Sequence, residues 1–116
     1  MGLLTTRVLD TAQGVASSNM SVRLYRILDD QRQLLSPQMS NSDGRCDRPL
    51  LQDESFSIGL YELEFGVEAY FDQTNVQQPT PAFLSDVTLR FGIAQASEHY
   101  HVPLLVSPYS YSTYRG

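Results

Sequence analysis

The chain has 116 residues, with 13 acidic and 8 basic side chains, a formal charge of −5 and 41% hydrophobic residues. This length and composition predict one globular domain over residues 1–116, because a core divides only in considerably longer chains. The acidic balance argues against nucleic acid or an anionic membrane as partner, since both require a clustered positive surface. Cys46 is the only cysteine, which excludes an intrachain disulfide.

The N-terminal residues lack the pattern of a secretory signal. Leu3 and Leu4 are followed at once by Thr5, Thr6 and Arg7, so there is no extended apolar stretch. No apolar run approaches the roughly 18 residues that a membrane helix needs. We therefore expect a cytoplasmic protein with no membrane partner.

Apolar and polar residues alternate along much of the chain, which predicts an all-β protein built as a two-sheet sandwich. Tyr61, Leu63, Phe65 and Val67, for example, fall on one face of a single extended segment. The predicted strands are residues 5–9, 21–28, 61–67, 86–93, 101–106 and 109–114. Residues 70–78 lack alternation, and we expect a short surface helix there that ends before Pro79.

The last two predicted strands are joined tightly through Ser107 and Pro108, which predicts a hairpin. In the first strand, Arg7 and Leu9 share the face opposite Thr6 and Val8. Periodicity alone leaves open whether the face that carries Arg7 and Leu9 lies next to either face of the predicted hairpin.

The chain has two histidines, His99 and His101, and His101 is the best candidate for a general acid or base. As a pair they form a His-x-His motif, but a zinc site needs a third ligand that the composition does not provide, so we predict no metal. A nucleophilic Cys46 would need a partner base, and a buried or incidental thiol is the simpler reading. Glu62 and Glu64 are interpreted as a solvated sheet face. From residues alone, the function stays open.

Three segments resemble the transthyretin family, and within it the 5-hydroxyisourate hydrolase branch. They are residues 4–14, the Asp-Gly-Arg sequence at 43–45, and residues 99–116, which contain His-Tyr-His-Val-Pro-Leu and end in Tyr-Arg-Gly. The resemblance covers the whole chain, and the ending is its most specific part. It implies an eight-stranded β-sandwich with one short helix, assembled into a homotetramer whose central channel holds sites shared between subunits.

The activity implied by the resemblance is hydrolysis of 5-hydroxyisourate, a cyclic amide formed in urate degradation, without metal or organic cofactor. His101 matches the second histidine of the family motif, and Arg45 matches the arginine of its Asp-Gly-Arg turn. Both are therefore predicted to be catalytic, together with Arg7. The residues predicted to bind the substrate belong to the closing signature: Ser112, Tyr114, Arg115 and Gly116.

Arg7 departs from the resemblance, which implies a histidine at this place in the first strand. A guanidinium stays protonated at physiological pH and cannot exchange a proton as imidazole does. We therefore expect a weakened hydrolase. The alternative is a non-catalytic protein of the same fold that binds a small anionic or aromatic ligand in its channel. A third alternative is a structural or adhesive sandwich that associates through exposed edge strands.

Overall fold

The computed structural model describes residues 2–116, which form two packed β-layers and one short α-helix. The strands are β1 (Leu3–Thr5), β2 (Val8–Asp10), β3 (Val15–Ala16), β4 (Ser21–Leu28), β5 (Gln31–Met39), β6 (Leu51–Gln52), β7 (Gly59–Phe65), β8 (Val87–Ile93), β9 (Tyr100–His101), β10 (Leu104–Val106) and β11 (Tyr111–Thr113). The helix α1 spans Val67–Asp72, and a 3-10 turn spans Asp53–Ser55. The predicted sandwich with one short helix is confirmed.

The first layer is built around a parallel pair made from the two ends of the chain. β1 and β2 pair in parallel with β9 and β10, respectively. On the other side of the N-terminal segment, β6 pairs with β1 and β3 with β2, while β11 forms the opposite edge against β10. The short strands therefore occupy four neighbouring positions of one layer. In order these are β6 with β3, β1 with β2, β9 with β10, and β11.

Both long strands of this layer are interrupted, so the predicted continuous strands 5–9 and 101–106 are corrected. Pro103 has no N–H to offer the ladder, and the chain leaves regular pairing at Val102 and Pro103. The Thr6 hydroxyl donates to the Val102 carbonyl at 2.7 Å, and the Thr113 hydroxyl donates to the Pro103 carbonyl at 2.6 Å. Side chains thus satisfy carbonyls that a regular ladder would otherwise bind.

The predicted hairpin is confirmed, although its second strand is shorter than residues 109–114. β10 and β11 pair antiparallel, with Leu105 opposite Ser112. Ser107 closes the turn, because its backbone N–H donates to the Ser110 carbonyl at 2.8 Å and its hydroxyl accepts from the Ser110 N–H at 3.1 Å. Tyr109 belongs to this turn rather than to the strand.

The second layer has the strand order β5-β4-β7-β8, and all of its pairs are antiparallel. The prediction for residues 21–28 matches β4. The alternation did not predict β5, because this edge strand buries almost no side chains and contains Pro37, which an edge position tolerates. β5 also carries an irregularity, since Leu24 pairs with Ser36 whereas Tyr25 pairs with Leu34.

Helix α1 begins earlier and ends earlier than the predicted helix 70–78. Val67, which the alternation assigned to the end of a strand, is the first residue of the helix. Its side chain is fully buried, so the apolar pattern continues across Gly66 even though the backbone changes conformation. Gln73 follows as the C-terminal cap.

A buried carboxylate ties this helix to the first layer. The Asp10 side chain accepts hydrogen bonds from the backbone N–H groups of Ala12 and Gln13, both at 3.0 Å, and from the Gln13 amide at 2.6 Å. The Tyr70 hydroxyl donates to the same carboxylate at 2.8 Å. Burial and the neighbouring Asp10 raise the pKa of Tyr70, so this hydroxyl keeps its proton.

The outer face of the second layer is lined with ion pairs. Arg32 contacts Glu62 at 3.2 Å and Glu64 at 3.1 Å, and Arg90 contacts Glu62 at 3.0 Å. Each carboxylate is thus held by arginine rather than set apart as an acid and base pair. With only one six-residue α-helix in residues 2–116, the described chain contains no helix that could cross a membrane.

Replacing Tyr70 with phenylalanine tests the link between helix and sheet. We expect Tyr70→Phe to lower the free energy of unfolding by about 1.5–3 kcal/mol, because a buried hydrogen bond to a charged group is lost. Urea unfolding followed by circular dichroism measures the change. Tyr109→Phe is the matched control, since this ring is 61% exposed. Equal stability of the two variants would contradict the role of the Tyr70 hydroxyl.

Candidate active site

The candidate site lies on the face of the first layer that points away from the core. Thr5, Arg7 and Leu9 are partly exposed there and alternate with the buried Thr6 and Val8. This is the face that the sequence predicted for Arg7 and Leu9. Leu105 lies opposite Leu9 in one neighbouring strand and opposite Ser112 in the other, so this face continues across the hairpin.

The parallel register places His101 directly beside Thr5. The two residues are partners between β1 and β9, and the Thr5 hydroxyl lies 2.9 Å from Nδ1 of His101. His101 is partly buried. Its other ring nitrogen, Nε2, makes no hydrogen bond within the described chain. The imidazole is therefore fixed at one nitrogen and open at the other.

Arg45 is presented by a tight turn that Asn41 organises. The Asn41 side-chain oxygen accepts from the backbone N–H groups of Asp43 at 2.9 Å and Arg45 at 3.1 Å. Gly44 has a φ of +75°, a left-handed conformation that favours glycine, and its carbonyl accepts from the Val8 N–H at 2.8 Å. The turn is thereby fastened to the first strand.

Arg7 and Arg45 are neighbours across an antiparallel backbone bridge. The Arg7 Nε donates to the Asp43 carbonyl at 3.2 Å. Neither guanidinium forms an ion pair with a carboxylate of residues 2–116, in contrast to Arg32 and Arg90. Two unpaired cations side by side repel each other, so the arrangement favours a bound anion.

His101 is held in its neutral form by its surroundings. Burial lowers the pKa of His101 below the ordinary value of 6.5, and the positive charges of Arg45 and Arg7 lower it further, against an opposing contribution from the Thr5 backbone. A neutral imidazole keeps a lone pair that can accept a proton at neutral pH. This combination of base and cations matches the chemistry of attack on a carbonyl.

The C-terminal residues run past this imidazole. The Gly116 N–H donates to the His101 carbonyl at 2.8 Å, and a side chain added at Gly116 would lie 3.1 Å from Cδ2 of His101 and 3.5 Å from the Tyr114 ring. Gly116 and Tyr114 therefore lie near the imidazole. Ser112 lies further along the same face, opposite Leu105.

The side chain of Arg115 is engaged elsewhere. Its guanidinium contacts the Glu98 carboxylate at 3.0 Å, donates to the His99 carbonyl at 3.2 Å and lies 3.9 Å from the centre of the Tyr100 ring. Together with Tyr114, it also lines a cleft of about 440 Å³ that extends to β8. The structure thus brings Arg7, Arg45 and His101 together, and holds Arg115 apart from them by these contacts.

Cys46 has no features of a nucleophile. Burial, with a smaller contribution from Asp47, raises the pKa of the Cys46 thiol to about 11, so it remains protonated at neutral pH. The other histidine is engaged by backbone, because Nδ1 of His99 accepts from the Leu3 N–H at 3.1 Å.

Two residues of this region were missed by the sequence reasoning. Thr5 contacts His101 across 96 residues, and only the parallel register brings them together. Asn41 orders the turn that carries Arg45, and its signal was present in the Asn-Ser-Asp-Gly sequence, which is typical of a side-chain-stabilised turn.

Comparison with known proteins places this geometry in a family. The sequence profile of the HIUase/Transthyretin family matches residues 4–116. This chain belongs to that family. The 5-hydroxyisourate hydrolase of Pseudomonas aeruginosa is 54% identical over 116 residues, which cover 100% of this chain and 92% of that protein. The predicted family resemblance is confirmed.

Two solved structures extend the comparison. The structure of Klebsiella pneumoniae 5-hydroxyisourate hydrolase matches with a TM-score of 0.82 and 26% identity over 100% of this chain and 99% of that chain. A crystal structure of (S)-allantoin synthase matches with a TM-score of 0.94 and 41% identity, covering 99% of this chain but 43% of that chain. The HIUase/transthyretin fold thus occurs both alone and within a longer protein.

The Gly44 turn of this family member can be tested by adding a single methyl group. We expect Gly44→Ala to lower the free energy of unfolding by more than Gly14→Ala, the matched control. Both glycines have positive φ, a conformation that costs about 1–3 kcal/mol for other residues, but a Cβ at Gly44 would also collide with the Val8 carbonyl. At Gly14 nothing lies within 4 Å. Equal losses in urea unfolding would contradict the close approach.

The charge coupling in the site predicts a measurable pKa change. We expect Arg45→Gln to raise the pKa of His101, because removing a positive neighbour makes the imidazolium less unfavourable. NMR titration of the two histidines measures it directly. Arg90→Gln is the control, since Arg90 pairs with Glu62 on the other layer and should leave His101 unchanged. An unchanged His101 pKa in Arg45→Gln would contradict the coupling.

Proposed function

We propose that this chain hydrolyses 5-hydroxyisourate, opening its six-membered ring to 2-oxo-4-hydroxy-4-carboxy-5-ureidoimidazoline. Water adds to the ring carbonyl, the adjacent carbon–nitrogen bond breaks, and the released nitrogen receives a proton. The observation that carries this proposal is a neutral imidazole beside two unpaired guanidinium groups in a chain closely related to proteins named for this reaction.

His101 is the proposed general base. Nδ1 is occupied by Thr5, so the open nitrogen Nε2 is the one that would remove a proton from the attacking water. The lowered pKa of His101 keeps this nitrogen unprotonated at neutral pH. The rate should therefore fall only when the pH drops through the pKa of His101, below the ordinary value of 6.5.

Arg45 and Arg7 are proposed to hold the anionic substrate and the developing oxyanion. Both remain charged throughout the reaction, and neither is neutralised by a carboxylate of residues 2–116. Donors already in place before the reaction stabilise developing charge with little reorganisation. Arg7 cannot transfer a proton, so we propose that it supports binding and leaves proton transfer to His101.

The remaining substrate contacts are proposed for the C-terminal signature. Gly116 and Tyr114 lie beside His101, and Ser112 shares its sheet face. Arg115 is held by Glu98, so its contribution in one protomer would be to fix the course of these residues past the imidazole.

We further propose that the chain, as one transthyretin-like domain, forms a cytoplasmic homotetramer. The site lies on an outward sheet face, and next to it Arg7, Leu9 and Leu105 line a groove of about 370 Å³ that contains neither His101 nor Arg45. A second protomer facing this sheet face would cover Arg7, Arg45 and His101, enclose the substrate and remove it from bulk water. Mass measurement in solution tests the assembly, and a monomer would contradict it.

A second candidate function follows from Arg7. The site has two permanently charged arginines and one histidine that can exchange a proton. Such a site also suits a non-catalytic protein that binds a small anionic or aromatic ligand in the channel. The two functions differ in turnover, which one assay measures.

Decay of freshly generated 5-hydroxyisourate, followed by ultraviolet absorbance, tests the proposed reaction. We expect the native chain to accelerate the decay, and His101→Asn to remove a factor of about 10²–10⁴ through loss of the base. Arg7→His should be faster than the native chain, because it adds a second group able to exchange protons. Arg90→Gln, on the other layer, is the control for general effects of losing an arginine.

The outcomes separate the two functions. No acceleration by the native chain, together with acceleration by Arg7→His, would favour the binding function. An unchanged native rate in His101→Asn would contradict the assignment of the base.

A further inference from the structure

The two histidines of this chain are held at the same ring nitrogen by partners of different chemistry. Nδ1 of His99 lies 3.1 Å from the backbone N–H of Leu3, and Nδ1 of His101 lies 2.9 Å from the hydroxyl of Thr5. A backbone N–H can only donate a hydrogen bond, whereas a hydroxyl can donate or accept. The two imidazoles are two residues apart, with His101 in β9 and His99 just before it.

The partner at Nδ1 determines where a neutral imidazole carries its proton. His99 must accept from Leu3 at Nδ1, so neutral His99 carries its proton on Nε2. Neutral His101 can carry its proton on either ring nitrogen, because the Thr5 hydroxyl can accept or donate. If Thr5 accepts from Nδ1–H, Nε2 is left with a free lone pair; if Thr5 donates, Nε2 carries the proton and cannot act as a base.

We propose that Thr5 is a positioning residue that accepts a hydrogen bond from Nδ1–H of His101 and so keeps Nε2 available as the proton acceptor. This inference rests on the proposed function for its catalytic consequence, but the protonation site it assigns is a property of the protein without substrate.

The backbone makes this contact rigid. Thr5 and His101 are register partners in the parallel pair, and the Val102 N–H donates to the Thr5 carbonyl at 2.9 Å just beyond them. Threonine is β-branched, which restricts its χ1 rotation. Gly116 approaches Cδ2 on the opposite edge of the ring. The imidazole is thus held on two sides without any carboxylate hydrogen-bonded to it in the described chain.

An uncharged acceptor suits this environment. The charged groups that act on His101 are Arg45, from the turn, and Arg7, from the first strand, and both positive charges disfavour an imidazolium. After Nε2 takes a proton from water, Nδ1–H is still present and the Thr5 hydroxyl still accepts from it. The proton transfer therefore requires no rearrangement at Thr5.

The experiment compares Thr5→Val, which removes the hydroxyl at nearly constant shape, with Thr5→Ser, which keeps it. Nitrogen-15 NMR of the full-length protein reports the protonated nitrogen of each histidine, and His99 serves as the internal reference for the Nε2–H form. Thr88→Val, at an exposed position in β8, controls for losing a strand hydroxyl.

We expect His101 in the native chain and in Thr5→Ser to be mainly the Nδ1–H form, and Thr5→Val to move it toward the Nε2–H form of His99. In the hydrolysis assay, Thr5→Val should lower kcat by about 10- to 100-fold, which is part of the contribution of a positioned base, with KM changed by less than about twofold. Thr5→Ser should restore most of kcat.

Two results would overturn the inference. One is a native His101 that carries its proton on Nε2, and the other is a Thr5→Val variant whose protonated nitrogen is unchanged. Both readouts are independent of turnover, so a chain that fails to hydrolyse 5-hydroxyisourate would contradict the proposed function while NMR still decides the role of Thr5. Thr88→Val should match the native chain in each measurement.

Discussion

The parallel pairing of the first strand with the strand that contains His101 is the constraint on which the candidate site depends. It sets Thr5 beside His101. Two residues further along the chain, a separate antiparallel bridge joins Arg7 to the turn that carries Arg45. The core-facing residues of the same strands, Leu4 and Val8, are fully buried and hold this register. A one-residue slip would exchange the inner and outer faces, so packing of the core also aligns the reactive side chains.

The charged side chains are arranged differently on the two layers of the protomer. On the outer face of the second layer, Glu62 and Glu64 are matched by arginines. On the outer face of the first layer, Arg7 and Arg45 are left without carboxylate partners within residues 2–116. Arg7 and Arg45 thus place two neighbouring positive charges on this face of a chain whose net charge is −5. Local arrangement, rather than overall charge, determines what that face attracts.

Alternation was sufficient to predict the sandwich and the strand 21–28, because side chains that pack on a core show a period of two. It failed where the burial of side chains does not follow the strand pattern. β5 is an exposed edge strand, and Val67 is a buried residue of a helix rather than of a strand. Pro103 interrupts a segment that is otherwise apolar. His101 was a candidate base from its residue type alone, and the family resemblance assigned both His101 and Arg45 to the site. Thr5 could not be found in this way, because its importance depends on a register between residues 96 positions apart.

That long separation has a consequence for how the protein matures. The strands of the central parallel pair come from opposite ends of the domain, so a chain emerging from the ribosome lacks the site until His101 has been synthesised. Contacts between distant segments form slowly, because a large loop must close before they are made. Turnover by this protein would therefore report on complete folding, and a nascent or truncated chain that had already formed the antiparallel β4–β5 hairpin would still be inert.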